Sequence, residues 1–363
     1  MWMNADFWRD RRVFLTGHTG FKGAWMALWL HRMGAKVTGF ALPPATQPSL
    51  YDEARVGELM DSVIDDIRCL STLTSAMQKA RPEVVFHLAA QALVRPSYDD
   101  PVDTFASNVM GTVNVCEAVR QTPGVRALVC VTSDKCYANQ GWEWAYRESD
   151  HLGGHDPYSA SKACAELVAA SYRDSFFPAA DHARHGVALA TARAGNVIGG
   201  GDWSLDRLVP DVLRAADCDA SVLIRRPDAT RPWQHVLDAL AGYLVLAQRL
   251  HDEGPAQAAP WNFGPDESDV WSVRQVVTAL NQHMPLQIEF AAHAVGPHEA
   301  MTLRLDSAKS RHHLGWKPVW TLDEALRRVV DWHLGWRHKE DVRDVCASQI
   351  DDYMNAVKKD LGS

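Results

Sequence analysis

"RRVFLTGHTGFKGAWMALWLHRMG", Arg11 to Gly34, decides the fold. Its opening residues are a short apolar run stopped by Gly17. From Phe21 onward apolar residues recur at helical spacing until Gly34 ends them. The pattern is a strand, a tight turn and a helix. Gly17, Gly20 and Gly23 fall between strand and helix in a T-G-x-x-G-x-x-G spacing. Glycines there let the chain turn sharply, and let a pyrophosphate settle on the amides of a helix N-terminus, whose positive dipole end favours an anion. At the first strand of an alternating chain, this spacing predicts a dinucleotide-binding loop.

Outward from that loop the alternation continues. "AKVTGFAL" is a second strand, "STLTSAMQKARP" a helix, "EVVFHLAA" a third strand, "PVDTFASNVMGTVNVCEAVRQT" one long helix and "VRALVCVTS" a fourth strand. "YSASKACAELVAASYRDSF" is a helix and "GVALATARAGNVIGGGDW" a strand ending in glycines. Beyond Gly199 the pattern loosens: "SVLIRRPDATRPWQHVLDALAGYLVLAQRL" reads as strand, turn and helix, and "PAQAAPWNFGPD" as a short strand. Continuous apolar strands alternating with helices predict an α/β fold: a Rossmann-type doubly wound parallel sheet, joined to a smaller α+β C-terminal portion. Residues 1–196 and 233–264 are expected to bind the dinucleotide, and 197–232 with 265–363 the substrate.

The net charge of −8 and the lack of any Lys/Arg stripe argue against nucleic acid as a partner. Seven cysteines, odd in number and without C-x-x-C spacing, predict a reducing cytoplasm. Sixteen histidines show no metal-ligand spacing, so no metal is expected. "MWMNADFWRDRR" has no apolar core behind its charges and no apolar run is long enough to span a bilayer, so neither secretion nor membrane insertion is expected.

The chemistry gathers at two places. "YSASK" sets Tyr158 and Lys162 on one helix face, where the ammonium can stabilise a phenolate and make a base that works near neutral pH. "ALVCVTSDKCY" ends a buried strand in Thr132, Ser133, Asp134 and Lys135. Asp66, in "DDIR", offers an adenine contact or a solvated loop carboxylate. The end of the second strand, "VTGFALPPATQPSLY", carries neither the acid that would hold a ribose 2′-hydroxyl nor an Arg for a 2′-phosphate, and leaves NAD and NADP both open.

"TGHTGFKG", "HLAAQ", "NVMGT", "VTSDKCY", "YSASK" and "ARAGNVIG" occur in the order and approximate spacing of the extended short-chain dehydrogenase/reductase family, a resemblance covering nearly the whole chain. Within it, "QALVRPSY", "TSDKCY", "GNVIGGGDW" and "RPWQHVLD" look most like the CDP-glucose 4,6-dehydratases. The resemblance implies a lyase that uses NAD internally on CDP-glucose or a related nucleotide sugar, for deoxysugar and O-antigen synthesis. It implies cofactor contacts from Gly17, His18, Thr19, Gly20, Phe21, Lys22, Gly23, Asp66, Ile67, Leu88, Ala89, Ala90, Tyr158 and Lys162. Ser133, Tyr158 and Lys162 would form the Ser/Thr-Tyr-Lys triad, Tyr158 taking the 4-hydroxyl proton as the C4 hydride leaves.

Relatives acting on dTDP-glucose carry Asp-Glu where this chain has Asp134-Lys135. By that likeness Asp134 is the acid for the departing 6-hydroxyl. Lys135 is either the C5 base, through a lowered pKa, or a fixed charge that stabilises the enolate or positions Asp134. On the substrate side the resemblance implies Arg95, Thr132, Asn196, Arg207, Arg231 and His298, with Arg226 and Glu299 as further candidates. It also implies at least a homodimer, through the helices around Thr104–Arg120 and "YSASK". The rival readings are a 4,6-dehydratase of another nucleotide sugar, a 4-epimerase, which needs neither Asp134 nor Lys135, and a non-catalytic NAD(P) sensor, which the intact triad argues against.

Overall fold

The computed structural model describes residues 3–291 and 301–362. Along the chain run β1 (Arg12–Thr16), β2 (Lys36–Ala41), β3 (Asp61–Ile64), β4 (Val84–His87), β5 (Ala127–Val131) and β6 (Ala188–Ala194). They are followed by β7 (Asn196–Ile198), β8 (Ser221–Ile224), β9 (Thr230–His235), β10 (Pro260–Phe263), β11 (Val270–Ser272) and β12 (Gln287–Phe290). The longer helices are α1 (Phe21–Arg32), α2 (Leu70–Ala80), α3 (Gly111–Arg120), α4 (Pro157–Ser175) and α5 (Leu208–Asp217). After these come α6 (Val236–Glu253), α7 (Val273–His283), α8 (Leu322–Arg337) and α9 (Val342–Gly362).

Seven strands form the main sheet in the order β10-β6-β5-β4-β1-β2-β3, and every neighbouring pair is parallel. Side chains alternate across it: Val13 and Leu15 of β1 enter the core under α1 and α6, while Phe14 enters the core under α2, α3 and α4. Both faces are therefore covered, as a parallel sheet requires. The strand order reverses between β1 and β4, whose ends are level, Thr16 lying opposite His87. Their carboxyl ends open the crevice at which ligands of doubly wound sheets bind.

The smaller portion has a three-stranded sheet, β11-β9-β7, and a two-stranded one, β12-β8. Its core draws on α5, α7 and α8. α9 returns to the first portion, where Tyr353 meets Trp29 edge-on at 5.4 Å and Ile350 and Val357 enter the core beneath α1.

Several elements differ from the sequence expectation, among them Thr230–His235, expected as turn and helix start and folded as β9. β3 is not among the strands expected from the sequence: its four residues lie at a half-exposed sheet edge and carry no long apolar run. The strand expected through "GVALATARAGNVIGGGDW" is two strands in different sheets, broken at Gly195, where a Cβ would lie 2.7 Å from Pro232 O. The helix expected over 101–122 is interrupted by a π turn at Ala106–Met110. Within that turn Asn108 donates to Gln91 O at 2.9 Å and to Ser161 Oγ at 2.8 Å, tying the cleft wall to α4.

Trp29 is fully buried between α1 and α9. Trp29→Ala is expected to lower the unfolding free energy by roughly 3–5 kcal/mol, read as a shifted midpoint in urea denaturation.

Candidate functional site

The crevice is a cavity of about 750 Å³ walled by the loops after β1, β4, β5 and β6 and by the segment from Asp202 to Arg231. Its floor is the glycine loop. Gly17 is in the left-handed region, at φ +80°, and a Cβ there would stand 2.6 Å from Ala89 N. A Cβ on Gly23 would stand 2.0 Å from Gly17 O, so this glycine lets α1 close on the turn. Gly20, at the start of α1, has only Gly17 O, at 3.5 Å, within reach of a Cβ. Nothing in the fold demands a glycine at Gly20, which leaves the helix N-terminus bare for a phosphate. Ile67, Leu88, Ala89 and Ala90 give apolar walls, so cradle and walls together fit a dinucleotide.

The His18 side chain turns away from the cleft. Its ring packs against Gly39, where a Cβ would come within 2.4 Å, and Nε2 lies 2.7 Å from Ser62 Oγ. Burial holds it neutral, with its pKa lowered to about 4. The side chain ties the loop to β2 and β3 and does not line the cleft. Asp66 does line it, with its carboxylate paired to Arg68 at 2.5 Å.

Beside the floor β5 ends in a tight turn. Ser133 caps it: Lys135 N donates to Ser133 Oγ at 3.2 Å, and Ser133 Oγ donates to Asp134 Oδ1 at 3.0 Å. Asp134 is 2% exposed and its Oδ2 has no hydrogen-bond partner. Burial raises its pKa, against the charges of Lys135, Arg231 and Lys22 and the Ser133 hydroxyl. A buried carboxyl held toward its protonated form is a proton donor waiting for an acceptor. Lys135 is half-buried on the same wall.

α4 begins where Asp156 accepts from Ser159 N at 2.9 Å and Pro157 occupies the first turn, which sets Tyr158 and Lys162 facing this strand end. Burial raises the Tyr158 phenol to about 12, opposed by Ser133 and Arg207. Burial lowers Lys162 to about 8, and its Nζ donates to Val131 O at 3.3 Å. Lys22, expected among the cofactor contacts, reaches the same cluster. Burial and the charges of Arg207 and Lys162 lower it to about 7, with Asp134 and Asp202 opposing. Lys22 and Lys135 thus both act on the carboxyl of Asp134, one oxygen of which is uncommitted.

Arg95, Asn196, Arg207, Arg226 and Arg231 line the far wall. Arg207 is held by the buried Asp202 at 2.9 Å, and Arg95 by Asp206 at 3.0 Å across the mouth. Arg231 Nη1 donates to Thr230 O at 2.8 Å. Thr132, expected as a substrate contact, also lines the cavity, and its hydroxyl is donated to Glu166 Oε1 at 2.5 Å. His298 and Glu299 lie outside the described residues.

Glu166, Arg193, Asp202 and Asp206 were absent from the sequence reading. One signal was available for the first two. Arg193 is a lone cation in a strand that is otherwise buried and apolar, and such a residue needs a buried partner.

The family described as GDP-mannose 4,6-dehydratase matches residues 14–329. A curated CDP-glucose 4,6-dehydratase from Salmonella typhimurium is 49% identical over 98% of this chain and 100% of its own. Among solved structures, UDP-glucose-4-epimerase from Stenotrophomonas maltophila, with bound NAD, superposes at TM-score 0.78 with 21% identity, covering 91% of this chain and 99% of its own. A dTDP-glucose 4,6-dehydratase from Bacillus anthracis, in complex with NAD, superposes at 0.74 with 19% identity over 92% and 99%. At such identities the structures speak to the fold alone.

The two helix-side glycines should separate by experiment. Gly20→Ala is expected to leave the melting temperature unchanged while weakening dinucleotide binding at least tenfold by titration. Gly23→Ala is expected to lower the melting temperature itself.

Proposed function

This chain belongs to the GDP-mannose 4,6-dehydratase family, and we propose that within it the chain is a CDP-glucose 4,6-dehydratase. It converts CDP-D-glucose to CDP-4-dehydro-6-deoxy-D-glucose and water, a step in deoxysugar and O-antigen synthesis. The observation that carries the reading is Asp134. A 4-epimerase has no use for a buried carboxyl with an empty oxygen beside the triad, whereas an elimination needs an acid there.

NAD, when bound, supplies a reversible hydride acceptor. Gly17, Gly20 and Gly23 with the α1 N-terminus would hold its pyrophosphate, and Ile67 and Leu88–Ala90 would wall its rings. Tyr158 accepts the proton of the sugar 4-hydroxyl as C4 is oxidised. Its phenolate is reached only with the help of Ser133 and Arg207 against the cost of burial, and Lys162 on the same helix face is assigned the role of holding it. The 4-ketone acidifies the C5 hydrogen, Lys135 takes that proton, and Asp134 gives its own to the departing 6-hydroxyl. As the hydride taken from C4 is returned to C6, Lys135 gives its proton back to C5, and the proton held by Tyr158 balances the one Asp134 has lost. Lys22 supplies positive charge to both events. The alternative role for Lys135, a fixed charge on the enolate, leaves proton removal to another group.

Arg207, Arg231 and Asn196 are assigned to the substrate diphosphate and Arg95 to the sugar. We assign residues 1–196 and 233–264 to the dinucleotide and 197–232 with 265–363 to the sugar nucleotide. Exposed Val102, Phe105, Met110 and Leu167, on α4 and the helical run before it, supply the apolar face of a homodimer. No helix among the described residues is long and apolar enough to cross a membrane, and all seven cysteines are free. A cytoplasmic setting accords with both.

Incubation with CDP-, dTDP-, UDP- and GDP-glucose is expected to give an alkali-sensitive 4-ketone chromophore with CDP-glucose first. No product from CDP-glucose, with product from another sugar nucleotide, would move the assignment to that nucleotide. Silence with every sugar alongside tight dinucleotide binding would favour a sensor. Asp134→Asn is expected to lower turnover by 10²–10⁴-fold, the range for loss of a general acid. Lys135→Met is expected to stop C5 hydrogen exchange with solvent; exchange at the parent rate would return the lysine to the fixed-charge role.

A further inference from the structure

Behind the reacting groups lies a buried ion pair that the mechanism above does not use. Glu166 is one helical turn beyond Lys162 on α4, and Arg193 stands on β6; their side chains are 4% and 2% exposed. The pair is bidentate, Arg193 Nε to Glu166 Oε1 and Nη2 to Oε2, both at 2.8 Å. Burying two charges costs several kcal/mol per ion, which the pair's own attraction offsets only if the remaining hydrogen-bonding capacity is also filled. Here it is filled. Glu166 Oε1 accepts a second bond from Thr132 Oγ1 at 2.5 Å, and Oε2 one from Thr191 Oγ1 at 2.7 Å. Arg193 Nη1 donates to Tyr137 OH at 2.8 Å and to Glu148 O at 3.2 Å. Tyr137 OH in turn donates to Asn262 Oδ1 at 2.7 Å.

Two of these partners, Thr132 and Tyr137, bracket the turn that carries Ser133, Asp134 and Lys135. The glutamate grips the start of the turn and the arginine its end. Because Glu166 shares α4 with Tyr158 and Lys162, the same pair fixes the elimination groups against the oxidation groups. A well-packed apolar pair of the same volume would hold the core at least as firmly but could not fix two hydroxyls.

We propose that Glu166 and Arg193 are positioning residues, which set Asp134 and Lys135 against Tyr158 and Lys162 through the hydroxyls of Thr132 and Tyr137. The consequence is chemical. With its proton committed to Glu166, Thr132 works by placing the turn. Its loss separates the two halves of the reaction. Oxidation, run chiefly from Tyr158 and Lys162 on α4, is slowed less than proton delivery from the displaced Asp134. The functional part of this inference rests on the dehydratase reading above; its structural part does not.

Thr132→Val removes the hydroxyl at constant shape, and Thr132→Ser keeps it. The parent protein is first shown to make the 4-ketone from CDP-glucose. Thr132→Val is then expected to lower kcat roughly 10²-fold, the cost of misplacement on the scale of 1 Å. KM should stay within about twofold of the parent, a split that marks a loss specific to the reacting geometry. The enzyme is expected to accumulate reduced nicotinamide absorbance in the presence of substrate, a signature that mere loss of folded protein does not give. Thr132→Ser should restore turnover, and Tyr137→Phe should show the Val signature from the other end of the turn.

A ligand-free readout runs beside these. Hydrogen exchange at amides 133–137 should quicken in Thr132→Val while α4 and β6 keep their protection. A raised KM with unchanged kcat would overturn the proposal in favour of direct substrate contact. Unchanged exchange at 133–137 would overturn it whatever the activity. If the parent makes no ketone, the dehydratase reading fails and the exchange result alone decides the positioning role.

Discussion

A Cβ on Gly17 would stand 2.6 Å from the amide nitrogen of Ala89, and this near-contact is the constraint on which the site depends. It brings the turns after β1 and β4 together at the strand reversal. Gly17 N is tied to Phe40 O at 3.0 Å and Leu88 N to Thr16 O at 3.2 Å, so both turns hang from the sheet's backbone ladder. With the turns closed on each other, α1 rises from Gly20 with its first amides facing the crevice. The loops after β5 and β6 reach the same edge because every strand of the main sheet points the same way.

On that frame the charges are arranged to oppose burial. Tyr158, Lys162, Asp134 and Lys22 are all shifted by desolvation in the direction of their neutral forms. Each is partly shifted back by a neighbour, as Arg207 acts on Tyr158, Lys135 on Asp134, Asp134 on Lys22 and Glu166 on Lys162. Groups balanced in this way can exchange protons with a substrate near neutral pH. The Glu166–Arg193 pair behind them is different in kind. Its carboxylate stays ionised, because Arg193 and two threonine hydroxyls outweigh the burial that would otherwise raise its pKa. It holds the turn at β5 while the groups in front of it titrate.

Much of this was legible because it is local. The glycine spacing of the first loop, the helical register of Tyr158 and Lys162, and the apolar strands each lie within one segment. The parts that were not legible depend on distant segments. The strand Asp61–Ile64 exists because β2 offers it an edge, not because its four residues favour one. His18 looked like a loop residue facing a ligand until Gly39 and Ser62, on neighbouring strands, were seen to receive its ring. Thr132 was expected at the substrate, and only the fold shows Glu166 accepting its proton.

The sequence alone carried the fold class, the glycine loop after the first strand and the Tyr158–Lys162 register, because period, turn chemistry and i,i+4 spacing act over a few residues. It also singled out Asp134 beside Lys135 as the feature that separates an elimination from a simple redox step. Only the tertiary structure decided which hydroxyls are committed, which carboxyl oxygen of Asp134 is left over, and that Lys22 joins the reacting cluster. Those facts depend on desolvation and on partners far along the chain, 125 residues away in the case of Tyr137 and Asn262. Neither has a pattern along the chain.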